Sequence, residues 1–182
     1  MLKSKHKIIL LVGRSGSGKT AIADYLHHTY GWNAVSSYTT RLPRYEGEAG
    51  HVFVSDEDFD QLRDIIAYTE FDGHRYCATA DQIDTSDLYI VDLAGVKTLQ
   101  QLYQGDSIIL PVYLDVSCGQ CFKRMVKRGD GFHAALRRKK NDDQMFDGAK
   151  EYLMNHFASC LCIKNSGTLA EAGDMIYRWA TI

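Results

Sequence analysis

No stretch of this 182-residue chain holds enough consecutive apolar residues to span a bilayer, so no membrane span is expected. The opening M-L-K-S-K-H-K lacks the apolar core that precedes a signal-peptide cleavage site, and a cytoplasmic protein is expected. A formal net charge of −2 gives no general basic field to draw nucleic acid. Basic residues cluster only locally, in K-R-M-V-K-R (Lys123 to Arg128) and R-R-K-K (Arg137 to Lys140). Five cysteines, an odd number, do not suggest a disulfide framework in a protein of this size. Cys118, Cys121, Cys160 and Cys162 offer four thiolates to a metal, yet Cys160 and Cys162 lie in an apolar, strand-like run where packing is the expected use. Repeats and low-complexity segments are absent. The length suits one domain, 1–182, with a sizeable core.

What is present alternates between strand and helix. K-I-I-L-L-V (Lys7 to Val12) is a buried strand, and T-A-I-A-D-Y-L-H-H after it has helical periodicity. N-A-V-S-S-Y reads as a second strand and H-V-F-V-S as a third. Ser55 to Asp58 form a capping-box pattern opening a helix through Ile66. Asp72-Gly73 marks a hairpin between two apolar segments. L-Y-I-V-D-L, I-I-L-P-V-Y-L-D-V and C-L-C-I-K-N complete the strands, with Pro111 predicting a bulge or an early strand start in the second of these. Helices are expected over Phe122 to Arg128 and Phe132 to Leu153, broken at Gly129-Asp130-Gly131, and again near the end. The alternation predicts an α/β fold with a parallel sheet covered on both faces. The hairpin region, about 36–84, interrupts the rhythm as an inserted lobe between core segments 1–35 and 85–182.

G-R-S-G-S-G-K-T, Gly13 to Thr20, fits the phosphate-loop pattern between a buried strand and a helix. Its glycines let successive backbone N–H groups turn inward around phosphate oxygens, and the helix start adds its positive end. Gly13, Ser15, Gly16, Ser17, Gly18, Lys19 and Thr20 are therefore expected to bind ATP. Lys19 is expected on the β- and γ-phosphates and Thr20 on Mg²⁺. Asp92 ends a strand expected beside this loop, where a carboxylate could hold Mg²⁺, meet an acceptor or cap a helix.

About twenty residues beyond the loop stands S-S-Y-T-T-R-L-P-R, with Arg41 and Arg44 three residues apart. Arginine forks bind oxyanions through paired hydrogen bonds. With the phosphate loop, this segment resembles the guanylate kinase family, whose members carry S-x-T-T-R-x-P-R. The likeness extends over essentially the whole chain: Glu70, Gly73 and Tyr76 in the hairpin, V-D-L-A-G-V-K, K-R-M-V-K-R-G, and I-K-N before the last helix. The resemblance implies a three-layer phosphate-loop NTPase fold with a five-stranded parallel sheet, a mixed-β acceptor lobe and a helical lid at about 124–140. It implies that Arg41, Arg44 and Tyr76 clamp the acceptor phosphate, that Ser37 reaches the base, and that Asn165 borders the donor's adenine. It also implies that Arg124, Arg128 and Arg137 or Arg138 close over the transferring group.

Departures concern the base more than the phosphates. The family's guanine-binding Glu falls at Ala67, nine residues before Tyr76, and its hydroxyl residue at Ala78. Glu70 could substitute only if the strand register slipped. The tyrosine before F-V-S is His51, and the first Asp of D-I-D is Ile90, leaving Asp92. Three readings follow. The leading one is an ATP-dependent nucleoside monophosphate kinase with GMP or dGMP as default acceptor. The second moves the same transfer to a different nucleotide or a pentose phosphate. The third is a non-catalytic interaction module, against which Gly13, Gly18, Lys19 and Thr20 argue. The partners expected are small molecules, not nucleic acid or membrane; oligomeric state is left open.

Overall fold

In a computed structural model of the chain, residues 5–43 and 45–182 are described. The first half runs β1 (Lys7–Val12), α1 (Lys19–Tyr30), β2 (Ser37–Thr39), β3 (His51–Phe53), α2 (Asp56–Gln61), β4 (Ile65–Phe71) and β5 (His74–Thr79). The second half runs α3 (Ala80–Thr85), β6 (Leu88–Ile90), α4 (Leu93–Leu102), β7 (Ile108–Leu114) and α5 (Cys118–Arg128). It ends with α6 (Phe132–Met145), α7 (Ala149–His156), β8 (Leu161–Ile163) and α8 (Leu169–Thr181).

β6, β1, β7 and β8 form a parallel sheet in that order. The alternation along β1 explains the layers. Ile8, Leu10 and Val12 pack with Leu93, Val96 and Leu99 of α4 and Leu153 of α7. Ile9 and Leu11 face the other way, onto Ile22 and Leu26 of α1 and Ile176 of α8. A strand buried on both faces is apolar at every position, which is why K-I-I-L-L-V shows no polar alternation. Pro111 sits inside β7 without a bulge against β1, and β8 pairs only from Val112 onward.

The expected fifth strand is reduced to one bridge. Ala34 pairs with Leu88, and Val35 N–H donates to Leu88 O at 2.8 Å. The chain then leaves the core, and Ser37–Thr39 joins a second sheet of order β3-β2-β5-β4. N-A-V-S-S-Y is thus divided between two sheets. In the second sheet β2 runs parallel to β3 and antiparallel to β5, and β4 and β5 form the expected hairpin. Asp72 (φ 54°) and Gly73 (φ 78°) make its two-residue turn.

Two helices end earlier than the sequence suggests. Ser55 caps α2 by accepting from Asp58 N–H at 3.0 Å, but α2 stops at Gln61 and Ile65 and Ile66 enter β4. The helix expected over Phe132 to Leu153 is divided: α6 stops at Met145 with Phe146 as its C-cap, and Gly148, with a φ of 65°, opens α7. The break at Gly129-Asp130-Gly131 falls where expected, both glycines having positive φ. Among the described residues, no helix is long and apolar enough to cross a membrane.

Candidate functional site

β1 delivers the chain into the glycine-rich loop, and α1 begins at Lys19. Gly16 and Gly18 have φ of 77° and 105°, and their missing side chains matter. A Cβ at Gly16 would lie 2.6 Å from Cys121 O, and one at Gly18 would strike Asn165 Nδ2. Lys19 Nζ folds back to donate to Gly13 O (2.5 Å) and Arg14 O (3.0 Å). Desolvation lowers the Lys19 pKa to about 8, while the carboxylates of Asp142 and Asp92 favour the charged form. Ser17 is fully buried, and its Oγ has no hydrogen-bond partner among the described residues. Thr20 stands exposed in the first turn of α1.

Two expected residues converge on the back of this loop. Arg124 of α5 donates to Ser17 O (3.2 Å) and Asn165 O (2.8 Å), and Asn165 Nδ2 donates to Ser17 O at 2.7 Å. Arg128 and Arg138 converge elsewhere, on Asp130. Arg128 makes two bonds to it, at 2.8 and 2.6 Å, and Arg138 one at 3.0 Å. That carboxylate holds the Arg128 pKa above its ordinary value. Arg137 is exposed and makes no hydrogen bond or ion pair among the described residues. It lines a 550 Å³ groove with His133, Leu136, Lys139, Lys140 and Asp143.

The β3-β2-β5-β4 sheet gathers polar groups on one face. Register places Ser37 opposite His51, and Thr39 opposite Tyr76, which in turn lies opposite Thr69. Ser37 Oγ and His51 Nδ1 are 2.9 Å apart, and the His51 ring meets Tyr76 edge-on at 5.8 Å. Arg41 differs from the open fork that the sequence suggests. Its Nη2 and Nη1 donate to Glu48 at 2.8 and 3.1 Å, Nη1 also reaches Leu42 O, and the guanidinium lies 5.3 Å from the Phe53 ring centroid. The Arg41 and Glu48 side chains are only 11 % and 7 % exposed, so the cation requires this counter-charge. Glu48 raises the Arg41 pKa, and Tyr76 acts in the same direction. Arg41 Nε is buried without a partner among the described residues, which leaves one donor of the fork unmatched. Arg44, the second arginine of the expected clamp, lies outside the described residues.

Glu48→Ala tests this pair directly. It leaves a buried guanidinium uncompensated and is expected to cost about 3 kcal/mol. Thermal melting should then show a fall of roughly 6–12 °C for a chain of this size. An unchanged melting temperature would mean that the ion pair carries no net stability.

From Ala67 to Phe71 the β4–β5 hairpin pairs in one continuous register. Ala67 pairs with Ala78 directly after a bulge, and both are almost fully buried against the core. Glu70 is exposed, accepts the Tyr68 hydroxyl, and points to the face opposite Thr69. It does not join Ser37, Tyr76 and Thr69. Asp92 caps α4 by accepting from Gly95 N–H at 2.7 Å, and its second oxygen accepts from Thr69 Oγ1 at 2.8 Å. This carboxylate therefore ties the lobe to the strand edge beside the phosphate loop, and its charge also acts on Lys19. Thr20 fits Mg²⁺ as a hydroxyl ligand, whereas each Asp92 oxygen already accepts one hydrogen bond. Such a site suits an ion carried chiefly by phosphates and water.

Glu48, Thr69, Asp130 and Asp142 were not singled out by the sequence. Asp130 carries a legible signal, an acid between two glycines in a segment that holds Arg128, Arg137 and Arg138. The others become visible only through pairing across the fold.

No protein-family model matches the chain, and no curated relative matches it. Among solved structures, a guanylate kinase from Anaplasma phagocytophilum superposes with a TM-score of 0.62 at 18 % identity. The match covers 98 % of this chain and 86 % of that one, and the likeness is one of fold.

Proposed function

We propose that this protein transfers the γ-phosphoryl group of ATP to the phosphate of a nucleoside monophosphate, with GMP or dGMP as default acceptor. The observation that carries the reading is the meeting of two polar sites at Asp92. On one side is a glycine loop with a desolvated lysine. On the other is a sheet face bearing Ser37, His51, Tyr76 and Thr69, with Arg41 nearby. A fold shared with a solved guanylate kinase supports it.

In this reading Lys19 exchanges the Gly13 and Arg14 carbonyls for donor phosphate oxygens. The loop N–H groups and the α1 terminus complete the cradle. Thr20 would hold Mg²⁺, which supplies charge neutralisation across the phosphates. Arg41, Arg44 and Tyr76 would neutralise the acceptor phosphate, which must approach the donor against like charge. Arg124 acts from the donor side. Arg128, Arg137 and Arg138 belong to a lid that shields the transferring group from water once both substrates are bound.

One observation favours a second reading, the same transfer onto another phosphorylated acceptor. Guanine presents an N1–H and an amino group, and a carboxylate accepts both. Ala67 and Ala78 offer neither acid nor hydroxyl, Glu70 faces away, and Asp92 is already bonded to Gly95 and Thr69. Selectivity for guanine is therefore expected to be weak. A panel measuring ADP release from ATP with GMP, dGMP, AMP, CMP, UMP, dTMP and pentose phosphates decides between the readings. Comparable turnover of GMP and AMP is expected. Rapid GMP turnover with rejection of AMP would contradict the closed base site, and turnover confined to a pentose phosphate would favour the second reading.

A further inference from the structure

The C-terminal half of α6 is bonded to the apex of the phosphate loop. Asp142, 4 % exposed, accepts from Ser15 N–H at 2.6 Å, and its other oxygen lies 3.4 Å from Ser15 Oγ. Its neighbour Asp143 pairs with Arg14 and accepts from Lys139 at 2.9 Å. Two successive acids of one helix thus hold two successive residues of one loop. A buried carboxylate is costly unless it is bonded and compensated. Here Ser15 N–H supplies the bond, and the Lys19 and Arg14 charges supply compensation.

The same helix carries the lid cations. Arg138 lies four residues before Asp142, on the same helical face, with Arg137 beside it. At its other end, α6 is joined to α5 through Gly129 and Gly131, both at positive φ. The helix is therefore fastened to the donor loop at one end and joined to α5 through a glycine break at the other. We propose that Asp142 is a positioning residue: by holding Ser15, it makes the phosphate loop and the second lid helix one unit, so that donor binding sets the place of Arg137 and Arg138. This rests on the donor reading of the loop. Asp142 touches no reacting atom in this account; it acts through the loop and the helix.

The test uses the full chain with Asp142→Ala and Asp142→Asn, the latter keeping an acceptor for Ser15 N–H. Amide hydrogen exchange is followed with and without ADP and Mg²⁺, alongside kcat, KM for ATP and melting temperature. In the wild type, ADP should slow exchange both in the loop and along α6. In Asp142→Ala it should slow exchange in the loop alone, and kcat should fall by about ten- to a hundredfold, the scale of a misplaced catalytic group. KM for ATP should change much less. Asp142→Asn should recover the protection of α6 and most of kcat. Asp142→Glu covers the case in which the alanine variant does not fold: its extra methylene displaces the helix, and the same losses are expected with the charge intact. The proposal is overturned if ADP protects α6 equally in the alanine variant, if asparagine behaves as alanine does, or if glutamate leaves protection and kcat at wild-type levels. A wild-type loop that gains no protection from ADP overturns the donor reading, and the coupling with it. Because exchange is read without an acceptor, failure to phosphorylate any monophosphate leaves this measurement decisive.

Discussion

Lys19→Ala is expected to lower ADP production from ATP by about a thousandfold or more, the scale of removing preorganised charge from a phosphate site. Among the described residues the ammonium bonds only to the Gly13 and Arg14 carbonyls, and both belong to the loop rather than to the apolar core. The core around β1 should therefore survive, and melting should stay close to wild type. ATP affinity should fall as well, since the side chain would meet β- and γ-phosphates in the ground state too. Lys19 is also desolvated, with a pKa lowered to about 8, so losing it relieves a destabilised charge. A folded Lys19→Ala protein with undiminished ADP production would end the phosphotransfer reading.

Arg41→Ala should produce the second largest effect, a fall in kcat/KM for the acceptor of roughly a hundred- to a thousandfold. ATP affinity should hardly change, because Arg41 belongs to the lobe and pairs with Glu48 there. The structure adds a complication that the sequence did not show. Removing Arg41 takes its bidentate guanidinium partner from the buried Glu48 carboxylate, so the single variant should also lose stability. Arg41→Met combined with Glu48→Leu removes both charges and should regain melting temperature without regaining acceptor turnover. Arg41→Lys should rescue poorly, because a point charge does not reproduce two parallel bonds. Normal acceptor titration in Arg41→Ala and in the double variant would make Arg41 a purely structural cation.

The features legible in the sequence are those whose causes are local. A glycine loop between an apolar strand and a helix needs no distant partner, and Gly13 to Thr20 appears where the spacing puts it. The Asp72-Gly73 turn and the Ser55 cap are likewise set by a few neighbouring residues. Strand membership is a different matter. Nothing near Ser37 says that it pairs with His51 of β3 and lies beside β5, rather than continuing Ala34 along the core sheet. The early end of α2 has the same origin: Ile65 and Ile66 satisfy a helical pattern but enter the hairpin, where Ile66 packs in the core.

Charge pairing is the least legible layer. Ser15 and Asp142 are separated by 127 positions, so their bond leaves no spacing signal. Glu48 lies only seven residues from Arg41, yet their bidentate contact depends on how the intervening loop folds. Asp92 could be read as a metal ligand, an acceptor contact or a helix cap; in the structure it caps α4 and binds Thr69. Arginines that a motif presents as open forks arrive already paired, Arg41 with Glu48 and Arg128 and Arg138 with Asp130. Phosphate binding at those forks would exchange partners rather than create contacts, so any phosphate there would compete with a carboxylate.

The transfer itself is tested most directly by following the γ-phosphate. ATP labelled at that position is mixed with enzyme, Mg²⁺ and an excess of each monophosphate in turn, and the labelled products are separated. Label is expected on the acceptor's own phosphate, as a nucleoside diphosphate, with little inorganic phosphate, and the transfer should be about a thousandfold or more slower in Lys19→Ala. Label released only as inorganic phosphate, or retained in ATP with every monophosphate, would contradict it.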